Sequence, residues 1–208
     1  QEKGWQVRTA ETIGMAQRGG SVVSHVRMGD AGEEVLAPLV AQGTADLIIA
    51  FEPAEGARVL PYLAPNGVLV SATTAIQPVT AALASQPYRA GDVVAALANS
   101  LQAEASHEQA AETIVAPNTV TADQDASADG AEGYPVPLFI PVDDEALVRE
   151  AGASSRKSLN MMLLAVAVAQ GRVPLTVDEL KDAVRARVKP QFVAMNLAAI
   201  DTAVANFG

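Results

Sequence analysis

Gln17, Arg18, Gly19 and Gly20 stand together directly before a strand-like segment, and their residue types could bind a ligand. Adjacent glycines permit positive φ and let a backbone approach a ligand closely. An arginine beside them can hold a phosphate or a carboxylate through two parallel hydrogen bonds. The motif indicates either a loop that meets a ligand or a partner subunit, or a tight turn whose arginine simply lies on the surface.

Three more polar residues follow apolar runs of the sequence. Glu52 ends the run "LIIAFE", and Thr73 and Thr74 follow "GVLVSA". Ligands of open α/β sheets bind outside the carboxyl ends of the strands, which makes these three residues candidate binding residues. Each of them could equally cap a loop.

The remaining polar residues on apolar segments suggest structural roles. His25 and Arg27 alternate onto one face of the segment Ser21–Gly29. A buried histidine whose ring is hydrogen-bonded within the core fits this pattern. A catalytic histidine would need a partner residue in a pocket, and the sequence does not identify one. Asn160 and Asn196 are interpreted as structural. We find no glycine-rich dinucleotide fingerprint, P-loop, nucleophile elbow or metal motif, so no catalytic residue and no metal site are predicted.

The elements that must position these residues alternate between strands and helices. Near-continuous apolar runs at Ala45–Pro53 and Asn66–Thr73 are typical of strands buried on both faces of a parallel sheet. Gly4–Thr12 and Ser21–Gly29 indicate two earlier strands, with a short helix or loop between Ser21–Gly29 and Ala45–Pro53. The helix that begins near "AGDVVAALANS" is expected to take Asp92 as its N-cap.

The last third of the sequence is mainly helical. "PLFIPV" indicates a strand, after which Asp143 or Asp144 would cap a short helix. A buried helix is predicted within Ser158–Gly171, and Thr176 with Glu179 forms a capping box before an amphipathic helix. This order of strands and helices predicts one α/β domain over residues 1–208. It would be an open, mostly parallel Rossmann-like sheet with helices on both faces and a helical C-terminal part.

One segment departs from this pattern. From Gln102 to Gly133 the sequence has seven acidic residues and no lysine or arginine. Small polar residues and uniform negative charge are typical of a solvated, flexible segment, and a structureless stretch of this length is uncommon inside a compact domain. We interpret it as an acidic surface insertion that is helical over its first ten residues or so.

Composition excludes several classes of function. The net charge is −10, without a Lys/Arg cluster, so a phosphate backbone would be repelled and nucleic acid is not an expected partner. The sequence contains no cysteine, which excludes disulfides, a thiolate nucleophile and a cysteine-held iron–sulfur cluster on this chain. No apolar run reaches the ~18–20 residues of a membrane span and no secretory signal pattern is present, so the cytoplasm is the expected compartment.

Three of the segments above also carry a family resemblance. "GMAQRGGSVVSHVRMG", "ADLIIAFEP" and "NGVLVSATTAIQPV" resemble the gamma-type subunit of 2-oxoacid:ferredoxin oxidoreductases, and within it the beta subunit of indolepyruvate ferredoxin oxidoreductase. "DEALVREAGASSRKSLNMMLLAVAVAQGRVPLT" and the terminal "NLAAIDTAVANFG" extend the match. The resemblance covers nearly the whole chain outside the acidic insertion.

The resemblance implies a function for the chain within a complex. A partner alpha subunit would carry thiamine diphosphate with Mg²⁺ and the 4Fe–4S clusters, and ferredoxin would take up the electrons. The implied reaction is oxidative decarboxylation of an arylpyruvate with coenzyme A as co-substrate. The family's Arg-Gly-Gly turn matches Arg18, Gly19 and Gly20, which would by analogy lie near the partner subunit or the coenzyme A path. Gln17 beside them, and Glu52, Thr73 and Thr74 at the predicted strand ends, are further candidates for contact with the partner or coenzyme A.

Other interpretations stay open from the sequence. The chain could be the equivalent subunit for pyruvate, a branched 2-oxoacid or 2-oxoglutarate, a stand-alone Rossmann-type nucleotide-binding protein, or a pure interaction module. Members of the family begin with a glycine-rich strand–turn–helix unit, and Gln1 falls after that unit. We interpret the sequence as truncated, since a true deletion would remove a central strand and leave a long apolar edge.

Overall fold

The computed structural model describes residues 3–14, 21–30, 32–76, 88–114 (backbone only from 103), 137–152, 156–171 and 173–208. Its strands are β1 (Gln6–Ile13), β2 (Val22–Gly29), β3 (Ala45–Ala50), β4 (Leu63–Ala72) and β5 (Leu138–Val142). Its helices are α1 (Pro53–Val59), α2 (Ala90–Ile114), α3 (Asp144–Glu150), α4 (Leu159–Ala169), α5 (Val177–Arg187) and α6 (Pro190–Phe207). Short 3₁₀ helices lie at Leu60–Tyr62 and Arg156–Ser158.

A three-stranded parallel sheet forms the centre of the fold. β4 lies between β3 and β5 and pairs with both in parallel. Parallel pairing follows from the helical connections, which return the chain to the start of the next strand. From Gly67 to Ala72 every residue of β4 is buried, as its near-continuous apolar run predicts. The predicted strand is therefore confirmed, although it begins at Leu63 and not at Asn66.

Helices cover both faces of this sheet, as predicted. Successive side chains of a strand point to opposite faces, so each strand contributes to two cores. On one face Val68, Val70 and Ala72 pack with α4, α5 and α6 in the larger core. On the other face Leu69 packs with Ile48 and with Leu97 and Leu101 of α2 in a smaller core. The open α/β fold with a helical C-terminal part is confirmed.

The first two strands do not join the parallel sheet. β1 and β2 pair only with each other among the described strands, as an antiparallel two-stranded ribbon with Gln6 opposite Gly29 and Ile13 opposite Val22. For the segment between β2 and β3 the sequence predicted either a short helix or a loop. Its described residues form no helix, so this segment is a loop. The strand predicted within Ser21–Gly29 is confirmed, and the residues that alternate in it face a loop on one side and solvent on the other.

The helix ends follow local sequence signals in most cases. The capping box of α5 is confirmed, since the Thr176 hydroxyl accepts from Glu179 N–H and the Glu179 carboxylate accepts from Thr176 N–H. Asp143 caps α3, with its Oδ1 accepting from Ala146 N–H at 2.9 Å. The predicted N-cap Asp92 is wrong: α2 begins at Ala90, and Asp92 lies in its first turn with its N–H donating to the Arg89 carbonyl.

The acidic insertion begins as helix. α2 continues to Ile114, which confirms the helical start that was expected after Gln102. Residues 115–133 lie outside the described residues, and the flexibility expected there stays a prediction. Within the part of the chain that the structure describes, no helix has the length and apolar character needed to cross a membrane.

Candidate functional site

The carboxyl ends of β3, β4 and β5 meet at one edge of the parallel sheet, and the polar residues that follow these strands lie there. We call this set the carboxyl edge and define it as Glu52, Thr73, Thr74, Asp144 and Arg156. The ends of β4 and β5 are joined by a hydrogen bond from Thr73 N–H to the Val142 carbonyl at 3.0 Å. Parallel strands bring their carboxyl ends to the same edge, which is why residues far apart in sequence become neighbours here.

Glu52 is the residue that connects β3 to α1. Its side chain is 8% exposed, and its Oε2 accepts from Glu55 N–H at 3.0 Å, so it is the N-cap of α1. The other oxygen, Oε1, accepts a hydrogen bond from the Tyr88 hydroxyl. Burial of Tyr88, together with the hydrogen bond to the Glu52 carboxylate and its negative charge, raises the pKa of the tyrosine above its ordinary value. Glu52 is thus a capping residue, and its contact with a partner or coenzyme A stays a prediction.

Thr74 and Asp144 connect the end of β4 to the start of α3. The Asp144 side chain is fully buried, and its Oδ1 accepts from Thr74 N–H at 3.0 Å. Its Oδ2 lies 2.5 Å from Nη1 of Arg156. This contact is an ion pair between a buried carboxylate and a guanidinium group. A buried carboxylate needs such compensation, since an unpaired charge in the interior is costly.

Arg156 contacts residues that follow two different strands, β3 and β5. Besides its ion pair with Asp144, its Nη2 donates to the Phe51 carbonyl at the end of β3, at 3.4 Å. Its side chain is 30% exposed, so it presents a cation at this edge of the sheet. Sequence reasoning missed both Arg156 and the buried role of Asp144. The sequence signal that could have revealed Asp144 was the pair Asp143–Asp144 after a buried strand. Asp143 caps the helix, and the Asp144 side chain is buried.

The arginine–glycine loop is anchored beside this edge by its described ends. Gln17, Arg18, Gly19 and Gly20 themselves lie outside the described residues. Gly14 N–H donates to the Ser21 carbonyl at 2.8 Å. This hydrogen bond holds together the two described residues that flank the arginine–glycine loop. The Ser21 hydroxyl donates to Oε1 of Glu55 at 2.8 Å. Because Glu55 lies in the first turn of α1, the loop starts and ends next to the carboxyl end of β3.

Glu55 is held ionised by its partners. Burial opposes the charged form, but the hydrogen bonds from Arg58 and Ser21 and the positive charge of Arg58 outweigh it and lower the pKa of Glu55. Arg58 Nε lies 3.1 Å from Oε2, the oxygen that Ser21 does not use. The two oxygens of one carboxylate therefore tie the ribbon loop and α1 together.

His25 is a structural residue, as the sequence indicated. It is 8% exposed, its Nδ1 accepts from Val40 N–H at 3.2 Å, and its ring meets Tyr62 edge-on at 5.9 Å. Arg27 Nη1 donates to the Ala37 carbonyl on the same side of the ribbon. The loop between β2 and β3 packs against this face of the ribbon. Asn196 donates to the Phe192 carbonyl of its own helix at 2.8 Å, in agreement with a structural role.

Comparison with known proteins identifies the class to which this fold and this edge belong. Residues 1–206 match the sequence profile of the family described as pyruvate ferredoxin/flavodoxin oxidoreductase, and the chain belongs to this family. A relative from Archaeoglobus fulgidus, named Indolepyruvate oxidoreductase subunit IorB, is 32% identical over 95% of this chain and 78% of its own length. A relative of the same name from Pyrococcus horikoshii is 27% identical over 97% of this chain and 81% of its own length.

Solved structures agree with the family assignment at the level of the fold. The gamma subunit of a keto/oxoacid ferredoxin oxidoreductase from Geobacter sulfurreducens has a TM-score of 0.53 at 16% identity, over 98% of this chain and 81% of that chain. A 2-oxoglutarate:ferredoxin oxidoreductase from Magnetococcus marinus, solved with 2-oxoglutarate, coenzyme A and succinyl-CoA, has a TM-score of 0.52 at 13% identity, over 98% of this chain and 26% of that chain. The gamma-type resemblance seen in the sequence motifs is confirmed.

Proposed function

We propose that this chain is the accessory subunit of a thiamine-dependent ferredoxin oxidoreductase that acts on indolepyruvate or a related arylpyruvate. The complex would decarboxylate the 2-oxoacid, transfer the acyl group to coenzyme A and pass the released electrons to ferredoxin. Support comes from the family match over residues 1–206 and from relatives named as indolepyruvate oxidoreductase subunits over 95% and 97% of this chain.

The observation that supports a site for this role is the contact between Ser21 and Glu55. It anchors the arginine–glycine loop beside the carboxyl edge. Gln17, Arg18, Gly19 and Gly20 would then share one surface with Glu52, Thr73 and Thr74. Arg18 and the partly exposed Arg156 would supply positive charge there, which suits the phosphates of coenzyme A or acidic groups of the partner subunit.

The cofactors are assigned to the partner alpha subunit on the chemistry of the available donors. The sequence has no cysteine, the residue that holds iron–sulfur clusters through thiolates. Among the described residues there is no group of three or more His, Asp or Glu side chains that could hold Mg²⁺. Thiamine diphosphate with Mg²⁺ and the 4Fe–4S clusters would supply the decarboxylation and electron-transfer chemistry there, while residues of this chain position its loop and shield the shared surface from water.

The N-terminus of α1 is unsuited to a nucleotide phosphate. In dinucleotide-binding folds the pyrophosphate lies at the N-terminus of a helix that follows a strand, where free N–H groups and the helix dipole attract an anion. Here the N-terminus of α1, the helix after β3, is occupied by the Glu52 carboxylate. A phosphate at that position would meet a negative charge and would have to displace an N-cap.

The proposal is tested by an acceptor-reduction assay on the complex assembled from this chain and the thiamine-bearing subunit. Reduction of ferredoxin or a dye is followed with indolepyruvate and coenzyme A, with this chain present and absent. We expect the activity to need both chains and to exceed that with pyruvate, a branched 2-oxoacid or 2-oxoglutarate. Equal activity without this chain would refute the accessory role, and a preference for another 2-oxoacid would refute the substrate class alone.

A further inference from the structure

One face of the β1–β2 ribbon, which we call the inner face, holds the loop between β2 and β3 through four side chains: Gln6, Arg8, His25 and Arg27. Each of them is hydrogen-bonded to the backbone of the loop, at Val35, Ala37 or Val40. The two arginines donate to carbonyl oxygens, whereas the glutamine and the histidine accept from N–H groups. These contacts fix the path of the loop over the ribbon.

His25 differs from the other three side chains in its response to pH. Histidine can gain a proton between about pH 5 and pH 8, whereas arginine keeps its charge and the amide of Gln6 does not titrate. His25 Nδ1 accepts a hydrogen bond from Val40 N–H at 3.2 Å. A ring nitrogen accepts only while it carries no hydrogen, so neutral His25 holds its proton on Nε2. A proton on Nδ1 would set two N–H groups against each other and remove the bond.

The surroundings of His25 offer no counter-charge to a protonated ring. The ring is 8% exposed and meets Tyr62 of the 3₁₀ helix edge-on at 5.9 Å. Arg8 and Arg27 share the inner face with it, and among the described residues no carboxylate forms an ion pair with it. Because an unpaired charge is costly to bury, the protonated ring would leave its position. The acidic side chains that lead into the loop are exposed: Asp30, Glu33 and Glu34.

The loop is fixed on both sides of Val40 by hydrogen bonds that do not involve a histidine. Before it, the Ala37 carbonyl accepts from Arg27 at 3.0 Å. After it, Gly43 N–H donates to the Pro61 carbonyl at 3.0 Å. Loss of the bond to His25 would therefore free residues 38–42 alone. A segment this short between two fixed points can open locally while the ribbon and the parallel sheet stay folded.

We propose that His25 is a pH-sensitive latch for residues 38–42. At neutral pH the ring accepts from Val40 N–H and holds this segment on the ribbon. In acid the ring takes up a proton at Nδ1, the bond to Val40 is lost and the segment opens. Gln6, Arg8 and Arg27 keep the first part of the loop in place. The latch lies within this chain and does not depend on the proposed function.

Amide hydrogen exchange of Val40 in the whole chain tests the latch. Protection factors, corrected for the intrinsic exchange rate at each pH, are measured by NMR from about pH 7.5 to about pH 5. We expect Val40 to lose protection by roughly tenfold or more over this range. Val35 is the matched control in the same loop, because its N–H donates to Oε1 of Gln6 at 3.3 Å and this acceptor does not titrate. Its protection should stay constant.

Two variants separate the proton on the ring from other effects of acid. In His25→Asn the side-chain oxygen can accept from Val40 N–H and does not titrate, so the protection that Val40 retains should be the same at both pH values. His25→Phe keeps an aromatic ring beside Tyr62 and has no acceptor. This variant should lower the protection of Val40 at neutral pH to the level of the acidified wild type.

Selective loss of protection at Val40 in the wild type, absent from His25→Asn, would establish the latch. A Val40 amide that stays protected down to about pH 5 would overturn it. Equal losses at Val35 and Val40 would also overturn it, because acid would then open the loop as a whole. A loss in His25→Asn as large as that in the wild type would assign the effect to another group.

Discussion

The Ser21 hydroxyl donates a hydrogen bond to Oε1 of Glu55, across 34 residues of sequence. This bond joins two units that share no sheet, the β1–β2 ribbon and the first helix of the parallel α/β sheet. It fixes the base of the arginine–glycine loop beside the carboxyl ends of the parallel strands. Ser21, which directly follows the arginine–glycine motif in sequence, is thereby held next to the first turn of α1.

Ser21→Ala should weaken this connection without disrupting the core. The free energy of unfolding at neutral pH should fall by at most about 1 kcal/mol, since the bond is partly exposed to water. The pKa of Glu55 is lowered in the folded state from its ordinary value of 4.5. The ionised carboxylate therefore stabilises the fold at pH values above 4.5, and this stabilisation is lost as the pH falls through the lower folded pKa. The difference between wild type and variant in urea unfolding should therefore shrink at acid pH. Thr202→Ala on α6 is the control, and its small effect should show no such pH dependence.

The pair of Asp144 and Arg156 should show strong energetic coupling. Arg156→Met leaves the fully buried Asp144 carboxylate without its cation. The cost should be on the order of 2 kcal/mol, below the 3–5 kcal/mol typical of fully buried pairs because Arg156 is partly exposed. Asp144→Asn in the same chain should recover part of this loss, since the amide needs no counter-charge. A double-mutant cycle by urea unfolding measures the coupling, and simple additivity of the two single effects would contradict it.

Tyr88 should ionise only at unusually high pH. Its burial and the Glu52 carboxylate raise its pKa above the ordinary value of 10.0. The tyrosinate absorbance of the wild type minus that of Tyr88→Phe should isolate this step, and Glu52→Gln should move it to lower pH. Because the folded pKa is raised, the stabilisation is complete below about pH 10 and is lost as the pH rises further. Ionisation of Tyr88 at the ordinary pH would show that the bond to Glu52 is absent in solution.

Two glycine substitutions should have opposite effects on stability. At Gly29 a Cβ would lie 2.7 Å from the Glu33 carbonyl oxygen and 2.9 Å from Val35 Cγ2, so Gly29→Ala should destabilise the protein by about 1–3 kcal/mol. At Gly91, in the first turn of α2, an added Cβ meets no atom within 4 Å. Gly91→Ala should be neutral or stabilise by up to about 1 kcal/mol. The midpoints of urea unfolding of the two variants measure these changes in stability. A Gly29→Ala variant as stable as the wild type would refute the tight packing of the ribbon on the loop between β2 and β3.

Sequence patterns predicted the elements better than their arrangement. Runs such as "GVLVSA" indicate strands buried on both faces because nearly every position is apolar. The capping box of Thr176 and Glu179 specifies the start of a helix by local hydrogen bonds alone. Alternation in Ser21–Gly29 correctly predicted a strand but could not identify its pairing partner. That choice depends on contacts with the following loop, such as those of Arg27 and His25.

The candidate site was predicted in part for a similar reason. Glu52, Thr73 and Thr74 could be found because the carboxyl end of a strand is visible in sequence. Arg156 could not, since it reaches this edge only through long-range contacts with Phe51 and Asp144. The roles of Gln17, Arg18, Gly19 and Gly20 in binding a partner or coenzyme A stay predictions.

The most direct test of the central claim is Arg18→Ala in the assembled complex. The claim is that the arginine–glycine loop, anchored by Ser21, faces the catalytic subunit or the coenzyme A path. The isolated variant should melt like the wild type, while acceptor reduction with indolepyruvate and coenzyme A should fall at least tenfold. Arg149→Ala, at an exposed arginine in the last turn of α3, is the control and should leave the activity unchanged. An Arg18→Ala complex that assembles and turns over like the wild type would contradict the claim, and the loop would then be a surface turn.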